Sequence, residues 1–146
     1  MRIIWLVMSI FLAPFAAAAG VAQQADITVT AIPARIEIER ILTSDNVDTE
    51  SLGTRGVATA IAGIVRGQAP LDFWLVYGMH VAAWEQLADA EDRLSAAQDA
   101  PARDHWMAQA DRANRAIEAT FTEVERIARR YGAKMPVPVS DIKSMV

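Results

Sequence analysis

Three residues around position 80 have the types and spacing that best suit binding chemistry. Tyr77 precedes His80 by about one helical turn and Trp84 follows it by one turn, so a helix places all three side chains on one face. An imidazole beside aromatic rings in a helical bundle can bind a small ligand, ligate haem or respond to pH. Thr120, which the pairing below places opposite His80, completes this candidate ligand-binding site.

His80 also has a structural interpretation, and this is the one that we adopt from the sequence. A buried histidine can be satisfied by the hydroxyl of Thr120 or by a backbone carbonyl. A polar residue in an apolar stripe more often fixes the register of two helices than it binds a ligand. Ligand or haem binding at His80 is the alternative.

Other residues that support catalysis or metal binding are missing or badly placed. His80 and His105 would lie roughly 22 Å apart along a hairpin, because a helix rises about 1.5 Å per residue. The sequence contains no Glu-x-x-His motif, no His-Glu-x-x-His motif and no glycine-rich phosphate loop. It also contains no cysteine, which excludes disulfides, thiolate metal sites and covalent c-type haem. We therefore predict a protein that is not an enzyme and has no metal or cofactor.

Two long apolar stripes must position His80 and Thr120. Apolar residues recur at alternating spacings of three and four over about 70–98 and again over 101–131, which is typical of two amphipathic helices. If these helices fold back on each other about Ala100, the numbers of facing residues sum to 200. The facing pairs are then Phe73/Ile127, Val76/Val124, His80/Thr120, Ala83/Ile117, Leu87/Ala113, Ala90/Ala110, Leu94/Trp106 and Ala97/Arg103. The pattern predicts an all-α fold built on a long antiparallel hairpin.

The residues that flank the stripes support this hairpin. Asp99 is typical of an N-cap, and Pro101 suits a first helical turn, where its missing N–H costs no hydrogen bond. Gly132 is placed to end the second helix. From Phe73 to Trp84 the first helix is apolar on all sides. We expect one or two shorter helices to cover this open end and complete a small bundle.

Two shorter segments are candidates for that cover. Pro33 begins a predicted short helix over 34–42, and Asp48 or Thr49 caps a predicted helix of about 50–66. Glycines in the second of these cost roughly 1 kcal/mol each in helix propensity. We interpret them as positions where another backbone approaches closely.

The two ends of the chain differ in composition from its centre. Residues 1–22 join a basic residue, an apolar run and a region of small residues, as in a signal peptide. An uncleaved anchor is the alternative, because the run is long enough to span a bilayer. The helical domain is then 23–132, and 133–146 is an extended or disordered tail. Alternating β-branched residues at 26–32 predict an extended lead-in, as strand or coil.

Composition and architecture together define the expected function. The net charge is −4 and there is no basic stripe, which argues against nucleic acid as a partner. We expect an exported, periplasmic or secreted bundle that acts as a binding, accessory or scaffold module of the cell envelope. It would bind another protein or itself through the hairpin tip, where an exposed Trp106 would be an anchor. The predicted partner-binding residues are Leu94, Gln98, His105 and Trp106.

A further alternative depends on the N-terminal segment. If residues 1–22 are retained, the protein is a membrane-anchored subunit of an envelope complex. Contact with the membrane is expected only in that case.

Overall fold

Four helices make up the fold. The computed structural model describes residues 19–139 and, within 19–31, the backbone alone. The helices are α1 (Ala19–Asp45), α2 (Thr49–Ala62), α3 (Leu71–Ala96) and α4 (Ala100–Arg130). This part of the chain contains no strand. The prediction of an all-α bundle built on a long hairpin, with other helices at its open end, is confirmed.

The hairpin of α3 and α4 has the predicted register. The Nδ1 atom of His80 lies 3.1 Å from the Oγ1 atom of Thr120. Near the tip, the Nε of Arg103 donates a hydrogen bond of 3.3 Å to the carbonyl of Ala97. Both pairs belong to the predicted set of facing residues, so the two stripes do meet as the seam between α3 and α4.

Both ends of α4 are stabilised by local hydrogen bonds. The carboxylate of Asp99 accepts from the amide of Ala102 at 2.8 Å, as an N-cap does. At the other end Gly132 has a φ of 72°, which only glycine adopts readily. The amide of Ala133 then donates to the carbonyl of Ala128 at 3.0 Å, which is the Schellman arrangement. This end turns the chain back towards the bundle.

The structure corrects the predicted start of the domain. The segment 26–32 is helical, and Pro33 lies inside α1 instead of opening a short helix. Alternating β-branched residues favour a strand only weakly, because the free-energy differences in strand propensity are smaller than the cost of leaving backbone hydrogen bonds unmade. An extended segment needs a partner strand to satisfy its backbone, whereas a helix satisfies it internally. The helix predicted over 34–42 is therefore the last part of a much longer one.

The C-terminal part of α1 closes the open end of the hairpin. Its apolar residues form one buried cluster with residues of α3 and α4. The Tyr77 hydroxyl adds a hydrogen bond of 2.9 Å to the carboxylate of Asp45 at the end of α1. The buried core consists of Ile38, Ile41, Leu42, Ala69, Phe73, Tyr77, Val124, Ile127, Ala128 and Ala133.

The second helix is shorter than predicted, and its glycines have a different role. Asp48 is its N-cap, but it ends at Ala62 and not near position 66. Gly53 has φ 64° and ψ 170°, so the helix is interrupted there. A Cβ built at Gly56 or Gly63 would meet only atoms of α2 itself. The interpretation of close approach by another backbone is therefore wrong.

α2 packs against α3 on the side of the aromatic residues. Its buried face is formed by Val57, Ala58 and Ile61. On the exposed side, the guanidinium of Arg55 lies 2.6 Å from carboxylate oxygens of both Asp89 and Asp92 on α3. An arginine fork between two carboxylates fixes the relative orientation of the two helices.

The predicted terminal segments are only partly described. Residues 1–18 of the predicted signal peptide and residues 140–146 of the predicted tail lie outside the described range, and the predicted boundary after residue 22 lies within α1. Residues 133–138 form neither helix nor strand. No helix between residues 19 and 139 has the length and apolar character needed to cross a membrane.

Candidate functional site

Both ring nitrogens of His80 are hydrogen-bonded inside the seam. Only 3% of the residue is exposed. The indole Nε1–H of Trp84 donates to Nε2 of His80 at 3.2 Å. Because an indole nitrogen can only donate, Nε2 is unprotonated and the neutral ring carries its proton on Nδ1. That proton is donated to the hydroxyl of Thr120 at 3.1 Å.

The hydroxyl of Thr120 completes a short chain of hydrogen bonds. It donates in turn to the backbone carbonyl of Ala116 at 2.6 Å. Burial lowers the pKa of His80 to about 4, although a backbone hydrogen bond to Ile117 acts in the opposite direction. The imidazole is therefore neutral at neutral pH. Coordination of haem iron or another metal through Nε2 would require the bond from Trp84 to break.

Aromatic rings surround the imidazole on several sides. The ring centroids of Tyr77 and Trp84 each lie 6.5 Å from that of His80. Phe121 is nearer, with its centroid at 5.4 Å. Phe121 was not among the predicted site residues because it lies beside the seam stripe, although it follows Ile117 of the stripe by one helical turn and precedes Val124 by one turn.

An apolar cavity of about 510 Å³ lies next to this network. All four helices and the tail contribute to its wall. Two of its lining residues, Glu118 and Pro138, are exposed, so the cavity reaches the surface. The lining residues are Leu42, Asp45, Asn46, Val47, Thr49, Val57, Ile61, His80, Trp84, Ile117, Glu118, Phe121, Glu125, Met135, Pro136 and Pro138.

The charged residues that line the cavity are all acidic. They are Asp45, Glu118 and Glu125, and no lysine or arginine is among the lining residues. Glu125 is paired with Arg129 at 3.3 Å, whereas Asp45 accepts from the hydroxyl of Tyr77 at 2.9 Å. Burial raises the pKa of Asp45, and the hydrogen bond from Tyr77 lowers it by less. The cavity is therefore an apolar space with negative charge near its edge.

The structure brings the four predicted ligand-binding residues together, but only two of them face the cavity. His80 and Trp84 line it. Thr120 holds the His80 ring through its hydroxyl, and Tyr77 holds Asp45. The remaining walls come from α1, α2 and the tail, which carry no sequence motif for a binding site.

The predicted partner-binding residues at the tip do not form one exposed patch. Gln98 and His105 are exposed, whereas Leu94 and Trp106 are half-buried. The Trp106 ring is covered by the edge of His105, with centroids 4.7 Å apart, and by the guanidinium of Arg93 at 4.8 Å. Trp106 is therefore half-buried instead of exposed, because neighbouring side chains cover part of its ring.

Neither a metal-binding cluster among the described residues nor a match to known proteins is found. Residues 19–139 hold no group of three or more histidine, cysteine or acidic side chains that are arranged to bind a metal. The chain matches no protein-family model, no curated protein and no solved structure.

Proposed function

We propose that this protein is a binding module of the cell envelope that holds a small, mainly apolar molecule in the cavity beside His80. The observation that carries the proposal is the cavity itself, with a volume of about 510 Å³ and a mostly apolar lining from all four helices. Small-molecule sites commonly have volumes of roughly 300–1,000 Å³. Because protein interiors are close-packed, a ligand that fills this space restores dispersion contacts that the wall residues lack.

Binding is favoured over catalysis by the state of His80. A general base needs a free lone pair and a pKa near the working pH. Here Nε2 already accepts from Trp84, and burial brings the pKa of His80 to about 4. The imidazole thus contributes an apolar ring edge and a fixed structure to the cavity.

The acidic lining determines which ligands the cavity should accept. Asp45, Glu118 and Glu125 place negative charge at its edge, and no lysine or arginine is among the lining residues. Arg129, outside the lining, pairs with Glu125, so the charge preference rests on Asp45 and Glu118. An apolar ligand with a carboxylate would be repelled, whereas a neutral or cationic head group would be tolerated or attracted. The rings of Trp84 and Phe121 can also interact with a cation.

The test uses three adamantane derivatives of the same shape and different charge. Isothermal titration calorimetry would compare 1-adamantanemethanol, 1-adamantylmethylamine and 1-adamantanecarboxylate at neutral pH. We expect the alcohol and the protonated amine to bind, and the carboxylate to bind at least tenfold more weakly. If none of the three binds, the proposed function is wrong; if the carboxylate binds as tightly as the amine, the proposed charge preference is wrong.

A matched pair of variants places binding in the cavity. Ile117→Phe adds volume at the cavity wall, whereas Met107→Phe makes a similar change at an exposed position near the hairpin tip. The first variant should lose at least tenfold in affinity for the amine, and the second should bind like the parent protein. Equal affinities in both variants would place the probe elsewhere on the surface.

Export and partner binding belong to the same proposal. The signal-like composition of residues 1–22 supports a periplasmic or secreted location. The exposed side chains of Gln98 and His105 leave the tip available for polar contacts with a partner protein or a second copy. A native mass spectrum that shows only a monomer at high protein concentration would contradict self-association.

A further inference from the structure

The chain after α4 returns over the bundle and forms one wall of the cavity. Gly132 turns it, and the buried Ala133 anchors it in the core. We call residues 134–139 the strap. Three of its residues line the cavity: Met135, Pro136 and Pro138. Together with the loop residues Asn46 and Val47, these residues form the non-helical part of the cavity wall.

A single side chain holds the far end of the strap. The Nδ2 of Asn46, in the loop after α1, donates to the carbonyl of Val137 at 2.7 Å. The amide of Val139 donates back to the Oδ1 of Asn46 at 3.3 Å. Pro138, between these two residues, has no N–H to satisfy. The amide side chain of Asn46 therefore bonds to the backbone of two alternate residues of the strap, as a neighbouring β-strand would.

The near end of the strap has one further attachment. The amide of Lys134 donates to the carboxylate of Glu39 at 3.0 Å. Val137 points outward and is 57% exposed. Segments with few buried contacts and exposed hydrogen bonds open at lower free energy than packed helices. Met135 packs against the hydrophobic core, so the part of the strap that can detach without disturbing the core is 136–139.

We infer that the strap is a gate for the cavity, closed by Asn46, and that ligands enter and leave when this pair of hydrogen bonds breaks. The inference rests on the proposed binding function. The two prolines favour an extended strap even when it is detached, so little conformational freedom is lost on closing.

The test compares Asn46→Ala with Asn114→Ala, a matched change at an exposed position on α4. Amide hydrogen exchange needs no ligand and reports the strap directly. We expect exchange at Val139 to become about tenfold faster in Asn46→Ala, as the loss of one or two net hydrogen bonds implies. Exchange at Ala133, whose amide is held by α4, should not change.

Stopped-flow tryptophan fluorescence then reports the gate with 1-adamantylmethylamine. Association and dissociation should both be several-fold faster in Asn46→Ala, and Asn114→Ala should behave like the parent. If Asn46→Ala does not fold, Glu39→Ala releases the near end of the strap and should show the same direction of change. The fluorescence of Trp84, which lines the cavity, is the expected signal.

The possible results separate the two proposals. Faster exchange at Val139 with unchanged binding rates would overturn the gate while leaving the binding function intact. Unchanged exchange at Val139 would show that Asn46 does not hold the strap, which also overturns the gate. If the parent protein does not bind the amine at all, the binding function fails, and the gate fails with it.

Discussion

A neutral histidine inside the seam makes the stability of this protein depend on pH. His80 has a pKa of about 4 in the folded state, against an ordinary value of 6.5. As pH falls below about 6.5, the unfolded chain takes up a proton that the folded protein does not accept until about pH 4. The folded state is thus fully favoured above this window and loses stability as pH falls through it.

The free energy of unfolding should fall by roughly 3 kcal/mol between pH 6.5 and pH 4, since one pKa unit corresponds to about 1.4 kcal/mol. Urea unfolding at a series of pH values would measure it. His80→Gln removes this titration, so the variant should lose less stability over the same range. Asp45 acts in the opposite direction, because its raised pKa favours proton uptake by the folded state. Parallel curves for the two proteins would contradict the role of His80.

The sequence allowed some of these residue contacts to be predicted. Thr120 was found because His80 interrupts one periodic stripe and the register of a second stripe identifies its partner. Phe121 was not found, because the relation between facing residues, whose numbers sum to 200, applies only to positions on the two stripes. Asn46 was not found either, because its partners Val137 and Val139 lie 91 and 93 residues away in the sequence.

At the scale of elements, the glycines of α2 and α3 provide a matched pair for mutation. Gly53 has φ 64° and ψ 170°, a region that is nearly restricted to glycine, whereas Gly78 lies within the regular helix α3. A Cβ at either position meets no atom within 4 Å. Any difference between the two alanine variants therefore reports backbone conformation and not crowding.

Gly53→Ala should destabilise the protein by about 1–3 kcal/mol, because alanine must adopt a strained conformation. Gly78→Ala should stabilise it by about 0.5–1 kcal/mol, because alanine has the higher helix propensity. Thermal or urea unfolding measures both changes. If Gly53→Ala were neutral, the interruption of α2 at this residue would not require glycine.

The predictions for elements succeeded where periodicity was long and failed where it was short. The hairpin has many turns of consistent spacing, and Asp99 and Gly132 mark two of its ends. The segment 26–32 has only a few alternating residues, and a helix satisfies its backbone hydrogen bonds without a partner strand. The interruption of α2 at Gly53 could not be predicted, because the sequence does not show whether a glycine lies in a regular helix or has a positive φ.

At the scale of the whole molecule, the native and denatured masses of protein from the cell envelope test both export and assembly. We expect a mature chain that begins near Gly20 or Gln23, because the small residues before those positions suit a signal peptidase. Among the residues whose side chains the structure describes, the first buried one is Ile38. Removal of the signal segment should therefore leave the bundle intact.

A mature chain that starts at Met1 would contradict cleavage and favour the membrane-anchored alternative. A small molecule that is present in the native mass and lost on denaturation would support the proposed cavity function. A dimer mass would support self-association. Protein that is produced without residues 1–22 is the control, and its thermal unfolding midpoint should match that of the mature protein.

The cavity itself is a property of the whole molecule and was beyond prediction from the sequence. Its wall combines all four helices with the strap, and each contributes only a few residues. Sequence periodicity specifies which face of a helix is buried, but it does not specify how completely several faces fill the space between them. His80 and Trp84 were named from the sequence for the alternative of ligand binding, whereas the space beside them was not predicted.

The location of the strap also bears on how the protein is synthesised. α3 and α4 are neighbours in sequence, so their hairpin can form early from local contacts. The strap contacts α1 across a long stretch of sequence, since Glu39 and Lys134 are 95 positions apart. Because a chain emerges from its N-terminus onwards, the strap is added to the cavity wall only after all four helices have been synthesised. A nascent chain can thus build its helical frame first and complete the wall of the cavity afterwards.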